Sequence, residues 1–350
     1  MEPFIRIGNR KIGPGNPVYI IAEMSANHLG DFNKAIEILH AAKEAGADAV
    51  KLQTFTADTH TLDLKTPCFE VGGGTLWDGR YLYDLYRECS MPWEWQPKLK
   101  DIADDIGIDL FSAAVDPSGV EFLETMNVPA YKVTSFEIVD LHLIRCMAKT
   151  KKPIIISTGM ASLSEIDDAV TAARDAGAKE IALLKCTSAY PAPCDEMNLR
   201  TIPHLSRLFN APAGLSDHSM GLSAPVTAVT LGASIIEKHF TLSRNEPGPD
   251  SSFSMEPSEF TAMVQAIRET EKIIGEVRYT ITDHERSSRK FRRSLFAVAD
   301  IKKGDAFTET NIRSIRPADG LPPKYRDIIL TKKASKAIAK GTPLSWDLVS

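Results

Sequence analysis

Along the first 280 or so residues, short apolar runs alternate with stretches whose apolar positions recur every three or four residues. The run Val18-Tyr19-Ile20-Ile21-Ala22 leads into 32–45, where Ile36, Leu39 and Ala42 share one helical face. Ala49-Val50-Lys51-Leu52-Gln53 follows, then a helix near 94–106. Asp109-Leu110-Phe111-Ser112 precedes a helix opening at Pro117, a favoured first-turn position. Further strand-type runs fall at 130–133, 153–157, 181–186, 213–216 and 234–239. Helical patterns fall at 140–148, 162–176, 199–209, 221–231 and 257–275, and Gly46, Gly107, Gly177 and Gly232 stand where helices should stop.

Strands regularly separated by helices imply a parallel sheet with right-handed crossovers. Eight units in about 280 residues predict an α/β fold of the closed (β/α)₈ type. No GxGxxG fingerprint opens the first helix, which argues against a dinucleotide-binding sheet. One connection is out of proportion. The stretch from Gln53 to Trp93 is far longer than the ~2–6 residues of an ordinary βα loop. It follows a strand, so it belongs at the catalytic face of a barrel. Trp77, Trp93 and Trp95, in it or at its end, are expected to serve a substrate-covering loop.

From 276 to 292 the chain is polar and lacks an apolar period. The expected division is a barrel over 1–280, a linker over 281–292 and a small module over 293–350. Leu295-Phe296-Ala297-Val298 and two Lys-Gly turn signals, 303–304 and 340–341, make that module strand-rich by expectation. So small a module buries little core alone, and docking on another domain or subunit is expected.

Charge supports two different modules. From Asp283 onward there are 15 Lys+Arg and 8 Asp+Glu; the rest of the chain holds 26 against 38. A basic tail invites a nucleic-acid reading, but its clusters lack interleaved aromatics, and no nucleic-acid partner is expected. A basic cap over an anionic small-molecule site fits better. No apolar run approaches the ~20 residues of a membrane span, and the opening MEPFIRIGNRKIG lacks a signal-peptide core. No membrane association is therefore expected, and a cytoplasmic location is. The five cysteines (68, 89, 146, 186, 194) contain no CxxC pair and suit reduced thiols.

Barrel enzymes carry their chemistry at strand C-termini, and polar residues accumulate there. The first strand ends in Glu23, followed by Asn27-His28. The second supplies Lys51 and Gln53, two apart and so on one face. The third ends at Ser112, and the fourth gives Lys132, Ser135 and Glu137. The sixth gives Thr187, Ser188 and Tyr190, the seventh Ser216, Asp217 and His218, the eighth Glu237 and His239. Lys51, Lys132, Ser112 and Ser135 are donors suited to a phosphate or carboxylate. His218 and His239 end consecutive strands. Two imidazoles side by side leave positions for water and substrate oxygens, as a Mn²⁺ or Mg²⁺ site would. No GxSxG elbow supports a nucleophilic serine.

The chain resembles the sialic acid synthase-like (NeuB-type) family. The resemblance rests on Ile21-Ala22-Glu23 through Asn27-His28, Val50-Lys51-Leu52-Gln53, and Tyr131-Lys132 with Ser135 and Glu137. It continues in Ser157-Thr158-Gly159-Met160, Cys186-Thr187 with Tyr190-Pro191, and Gly214-Leu215-Ser216-Asp217-His218. Glu237-Lys238-His239-Phe240-Thr241 and Pro247-Gly248-Pro249-Asp250 complete it in the barrel. The C-terminal module resembles the family's antifreeze-like (SAF) domain, Arg316-Pro317 matching its Arg-Pro element. Ala113 departs from the Thr that often follows Ser112 in the family. Ser188 replaces the Asn of sialic acid synthases. The run Cys186-Thr187-Ser188-Ala189-Tyr190-Pro191 and the long loop instead resemble the pseudaminic acid synthases.

The resemblance implies condensation of phosphoenolpyruvate with an open-chain N-acylated amino sugar, giving a nine-carbon 2-keto acid and phosphate by C–O cleavage. It implies that Lys51, Ser112, Lys132, Ser135, Ser188 and Ser216 bind phosphoenolpyruvate. Gln53, Tyr190, Asp250 and Arg316 would bind the sugar, and Glu23 and Glu137 would be the acid/base residues. A divalent metal on His218 and His239 would polarise the aldehyde. A domain-swapped homodimer is the family's arrangement. The acceptor expected is 2,4-diacetamido-2,4,6-trideoxy-L-altrose. The alternatives are an N-acetylneuraminate or legionaminate synthase, a metal-dependent pyruvate aldolase, or a carbohydrate-binding protein with an inert barrel.

Overall fold

The computed structural model describes residues 2–350, and the chain divides into two compact units, 1–275 and 276–350. The first opens with an antiparallel hairpin of β1 (Ile5–Ile7) and β2 (Arg10–Ile12), whose isoleucines are fully buried in the main core. Eight parallel strands follow: β3 (Tyr19–Glu23), β4 (Ala49–Thr54), β5 (Asp109–Ala114), β6 (Tyr131–Val133), β7 (Ile154–Ser157), β8 (Ile181–Cys186), β9 (Ala213–Asp217) and β10 (Ile235–His239). They pair in chain order and close, β10 against β3, into the expected barrel. The strands are buried on both faces, which is why they read as near-continuous apolar runs.

Local chemistry sets the helix boundaries. Asp31 caps Phe32–Glu44 by accepting from Asn33 and Lys34, and Ser162 with Glu165 forms a capping box on Leu163–Asp175. Each such cap contributes about 1 kcal/mol. Asp116 caps the helix that Pro117 opens. At the N-terminal ends of the strands, Asp48 bonds the Ile20 amide and pairs with Arg10 and Arg268, while Tyr19 donates to Asp109. These polar ties belong to the face opposite the strand C-termini.

The long connection between β4 and the helix Gln96–Ile106 has structure of its own, with short helices at Ala57–His60 and Leu82–Cys89.

The second unit begins with an exposed stretch, 276–292, that contains two single-turn helices, Asp283–Arg286 and Ser287–Phe291. Its sheet is one antiparallel pair, β11 (Ser294–Ala297) with β12 (Ile312–Ile315). The module is thus less strand-rich than its sequence suggests. Isolated bridges such as Ile301↔Ile338 and Ala334↔Val349 replace further ladders. It nevertheless buries its own core around Leu295, Phe307, Ile312, Ile329 and Leu344. Gly320 is required there, because a Cβ would stand 2.3 Å from the Leu295 carbonyl. Among the described residues, no helix is long and apolar enough to cross a membrane.

Candidate active site

The C-terminal ends of the barrel strands surround a cavity of about 400 Å³. Its most buried part is a charge cluster. Lys51 Nζ lies 2.8 Å from Glu23 Oε2 and 3.6 Å from Glu237 Oε1, and Lys132 Nζ lies 3.9 Å from the same Glu237 oxygen. Four ionisable groups are thereby withdrawn from water, a costly arrangement unless each is paired. Burial pushes Glu23 up to about 7, with Lys51 pulling against it. Burial works the same way on Glu237, but the charges of Lys132 and Lys51 outweigh it and hold that carboxyl below its usual range. Lys132 is lowered by burial and donates to Ser157 Oγ at 2.7 Å, whereas the two carboxylates raise Lys51 despite its burial.

A polar chain connects this cluster to the far side of the cavity. Gln53 donates to Glu23 Oε1 (2.8 Å) and to Ser25 Oγ (2.9 Å), and Ser25 donates to Asp250. Asp250 Oδ2 lies 4.0 Å from His239 Nδ1. The rings of His218 and His239 are 5.3 Å apart, and Tyr190 packs against His218 at 4.4 Å. His218 Nδ1 meets the Thr187 carbonyl at 3.1 Å and Cys186 Sγ at 3.7 Å. The thiol, raised by burial but drawn down more strongly by His218, comes to about 7.

This histidine pair fits a metal. His239 Nδ1 is buried without a hydrogen-bond partner, and burial keeps that ring neutral, as a ligand must be. His218 is oriented through its other nitrogen by a backbone carbonyl, the usual support of a ligating imidazole. Among the described residues no group of three or more His, Cys, Asp or Glu is arranged to hold an ion. The protein therefore offers two imidazoles, and oxygens of water or substrate would complete the shell.

Most sequence-predicted residues meet here. Glu23, Lys51, Gln53, Lys132, Ser135, Glu137, Tyr190, Ser216, His218, His239 and Asp250 all line the cavity. Ser135 abuts Gly159, where a Cβ would stand 2.3 Å from the serine's own Cβ. Ser216 donates to Glu237 at 3.2 Å, and Glu137, raised by burial, accepts from Thr134.

One expectation needs correction. Ser112 does not line the cavity. The two-residue strand period turns Ala113 inward, and Ser112 bonds Thr54 at 2.6 Å on the opposite face. Ser188 is half-buried beside the lining residues, its Oγ 3.6 Å from Cys186 Sγ and close to the same Gly159 position as Ser135. Arg316 is exposed in the second unit.

The tryptophans divide. Trp77 lines the cavity, stacks edge-on against Tyr190 at 5.7 Å and donates to the Pro249 carbonyl. Trp93 packs on Phe122 and donates to the Phe55 carbonyl at 3.3 Å, tying down the start of the loop, whereas Trp95 packs on Phe32 and His28 and does not serve it. The loop instead supplies His60, Val71, Leu82, Leu85 and Tyr86 to the wall. Glu237, named among the strand-end residues, and Ser157 were given no specific task by the sequence reading. Both were accessible to it, since Glu237 lies two residues before His239 and Ser157 ends a barrel strand.

Residues 38–279 match the NeuB family and residues 292–350 match the SAF domain. The pseudaminic acid synthase of Helicobacter pylori is 46% identical over 332 residues, covering 95% of this chain and 97% of that protein. That of Campylobacter jejuni is 44% identical over 340 residues, covering 97% and 98%. The crystal structure of the spore coat polysaccharide biosynthesis protein SpsE from Bacillus subtilis superposes with a TM-score of 0.67 at 35% identity, covering 99% of both chains.

Proposed function

The chain belongs to the NeuB family, and on that premise we infer that it is a pseudaminic acid synthase. It joins phosphoenolpyruvate to 2,4-diacetamido-2,4,6-trideoxy-L-altrose and water, releasing pseudaminic acid and phosphate. Identity of 44–46% over 95–97% of the chain to pseudaminic acid synthases supports the product. The observation that carries the chemistry is the meeting of two buried lysines and two adjacent histidines in one cavity.

Lys51 and Lys132, with Ser135 beside them, hold the phosphate of phosphoenolpyruvate, and Ser216 its carboxylate. An anionic ligand substitutes for the carboxylates that pair the lysines, so the site is charged in advance for it. Family membership implies a metal-dependent synthase, and His218 and His239 are the residues that would hold the ion. When bound, it would supply Lewis-acid polarisation of the sugar aldehyde. Gln53, Tyr190 and Asp250 orient the open-chain sugar so that C3 of phosphoenolpyruvate faces its C1.

Bond formation between those carbons leaves a cationic C2, which water captures. The resulting tetrahedral phosphate hemiketal collapses by breaking its C–O bond, and phosphate leaves with the bridging oxygen. Glu23 and Glu137, both held above the usual carboxyl range by burial, are the acid/base residues for protons at the aldehyde oxygen and the attacking water.

Acceptor choice has a physical cause in the loop. The expected sugar carries a C6 methyl where N-acetylmannosamine carries a hydroxymethyl, and Val71 and Trp77 offer it an apolar wall. A hydroxyl buried there without a partner costs roughly 1–3 kcal/mol, about ten- to a hundred-fold in discrimination. The working unit in this reading is a homodimer in which the second unit of one copy covers the cavity of the other. Arg316, exposed in the second unit, would then reach the sugar.

The reaction is tested in oxygen-labelled water. Phosphate release should require both phosphoenolpyruvate and the diacetamido sugar, pyruvate should not substitute, and label should enter the keto acid. Label in the phosphate, or product formed from pyruvate, contradicts the reading.

A further inference from the structure

One polar side chain on the cavity wall takes no part in the chemistry above. His60 ends the short helix Ala57–His60, directly after β4, and lines the cavity. Its ring packs on Tyr86 at 4.1 Å and on Phe55 at 5.0 Å and is half-buried on the cavity wall. Burial drives its pKa down to about 4, so the ring is neutral and offers one N–H donor and one bare nitrogen. A half-buried polar ring on the cavity wall is available to a polar group of the ligand in place of water.

The ring belongs to a different aromatic cluster from the histidine pair. His218, His239, Tyr190, Trp77 and Phe253 contact one another, and Phe55, His60 and Tyr86 form a second set. With the aldehyde carbon at the histidine pair, the second set faces substituents further along the open chain. Leu82 and Leu85 line the cavity with it, so this subsite combines one neutral polar group with apolar surface. Among the acceptor's substituents, an acetamido group has that character: a carbonyl oxygen that accepts and a methyl that prefers to be dry. A hydroxyl at the same carbon ends two bonds short of the carbonyl oxygen.

We propose that His60 is a specificity-determining residue, whose ring N–H donates to the carbonyl oxygen of the acceptor's C4 acetamido group while Leu82 and Leu85 cover its methyl. The assignment rests on the acceptor inferred above and deepens it.

The test compares two acceptors differing only at C4, the diacetamido sugar and its analogue with a C4 hydroxyl. His60→Phe keeps a ring against Tyr86 and Phe55 but cannot donate. It should lower kcat/KM for the diacetamido sugar ~10- to 100-fold, mainly through KM. The analogue's kcat/KM and the KM for phosphoenolpyruvate should stay within about two-fold, since neither involves the lost bond. His60→Gln, which retains an amide donor, should recover part of the preference. If the Phe variant fails to fold, His60→Leu gives the same comparison.

Equal losses on both sugars, or no loss on either, overturn the assignment. Two failures remain distinguishable. A wild-type enzyme that favours the diacetamido sugar while His60→Phe keeps the full preference removes only the role of His60. A wild-type enzyme that prefers N-acetylmannosamine removes the acceptor reading and the role of His60 together.

Discussion

Lys51 Nζ stands 2.8 Å from Glu23 Oε2, and both side chains are buried. The pair joins the residue that would bind phosphate to one that would move protons. Replacing Lys51 with Met removes a charge-assisted contact to the phosphate and leaves Glu23 with less to offset its burial. Steady-state kinetics should show kcat/KM for phosphoenolpyruvate reduced ~10- to 150-fold, as loss of a charged hydrogen bond of ~1.5–3 kcal/mol would give. A change below ten-fold would mean that Lys51 does not contact the substrate.

The metal assignment makes a paired prediction. His218→Ala and His239→Ala should each lower bound divalent metal, measured by elemental analysis, and activity in step. Re-added metal should restore the chelated wild-type enzyme but neither variant. Full activity after exhaustive chelation contradicts the assignment.

Much of this site was legible in the strands and little of it in the long loop. Lys51 and Gln53 share a face because a strand alternates every residue, and both line the cavity. Applied with equal strictness, the same period excludes Ser112, since Ala113 takes the inward position beside Gln53. His60, Leu82, Leu85 and Tyr86 gave no signal. Their stretch has no sustained period, and its shape comes from contacts such as Tyr86 on Phe55 that join residues far apart in sequence. Trp95 misled for a related reason. A large aromatic beside a loop packs equally well on the helical layer, as Trp95 does on Phe32.

His28 makes stability depend on pH. Burial lowers its pKa to about 4, and its Nδ1 accepts from the Gly30 amide, a bond that protonation destroys. The unfolded chain, with an ordinary value near 6.5, takes up that proton first. Stability from this group is fully present above pH 6.5 and is lost as pH falls toward 4, roughly 3 kcal/mol in all. Urea unfolding at pH 7 and pH 4.5 should show a smaller difference for His28→Asn than for the wild type. An identical difference would show that His28 titrates normally in the folded protein.

The second unit bears on catalysis if the dimer is as proposed. It has its own buried core, and 1–275 forms a separate compact unit. Deleting 283–350 should therefore leave a folded barrel by circular dichroism while abolishing synthesis and dimerisation. A monomeric truncation with undiminished turnover contradicts the arrangement.

The central claim is the acceptor, and the ratio of two specificity constants tests it most directly. With phosphoenolpyruvate and metal saturating, kcat/KM is measured for 2,4-diacetamido-2,4,6-trideoxy-L-altrose and for N-acetylmannosamine. The apolar wall of Val71 and Trp77 predicts a preference of at least ten-fold for the diacetamido sugar. Equal or better use of N-acetylmannosamine would contradict the account.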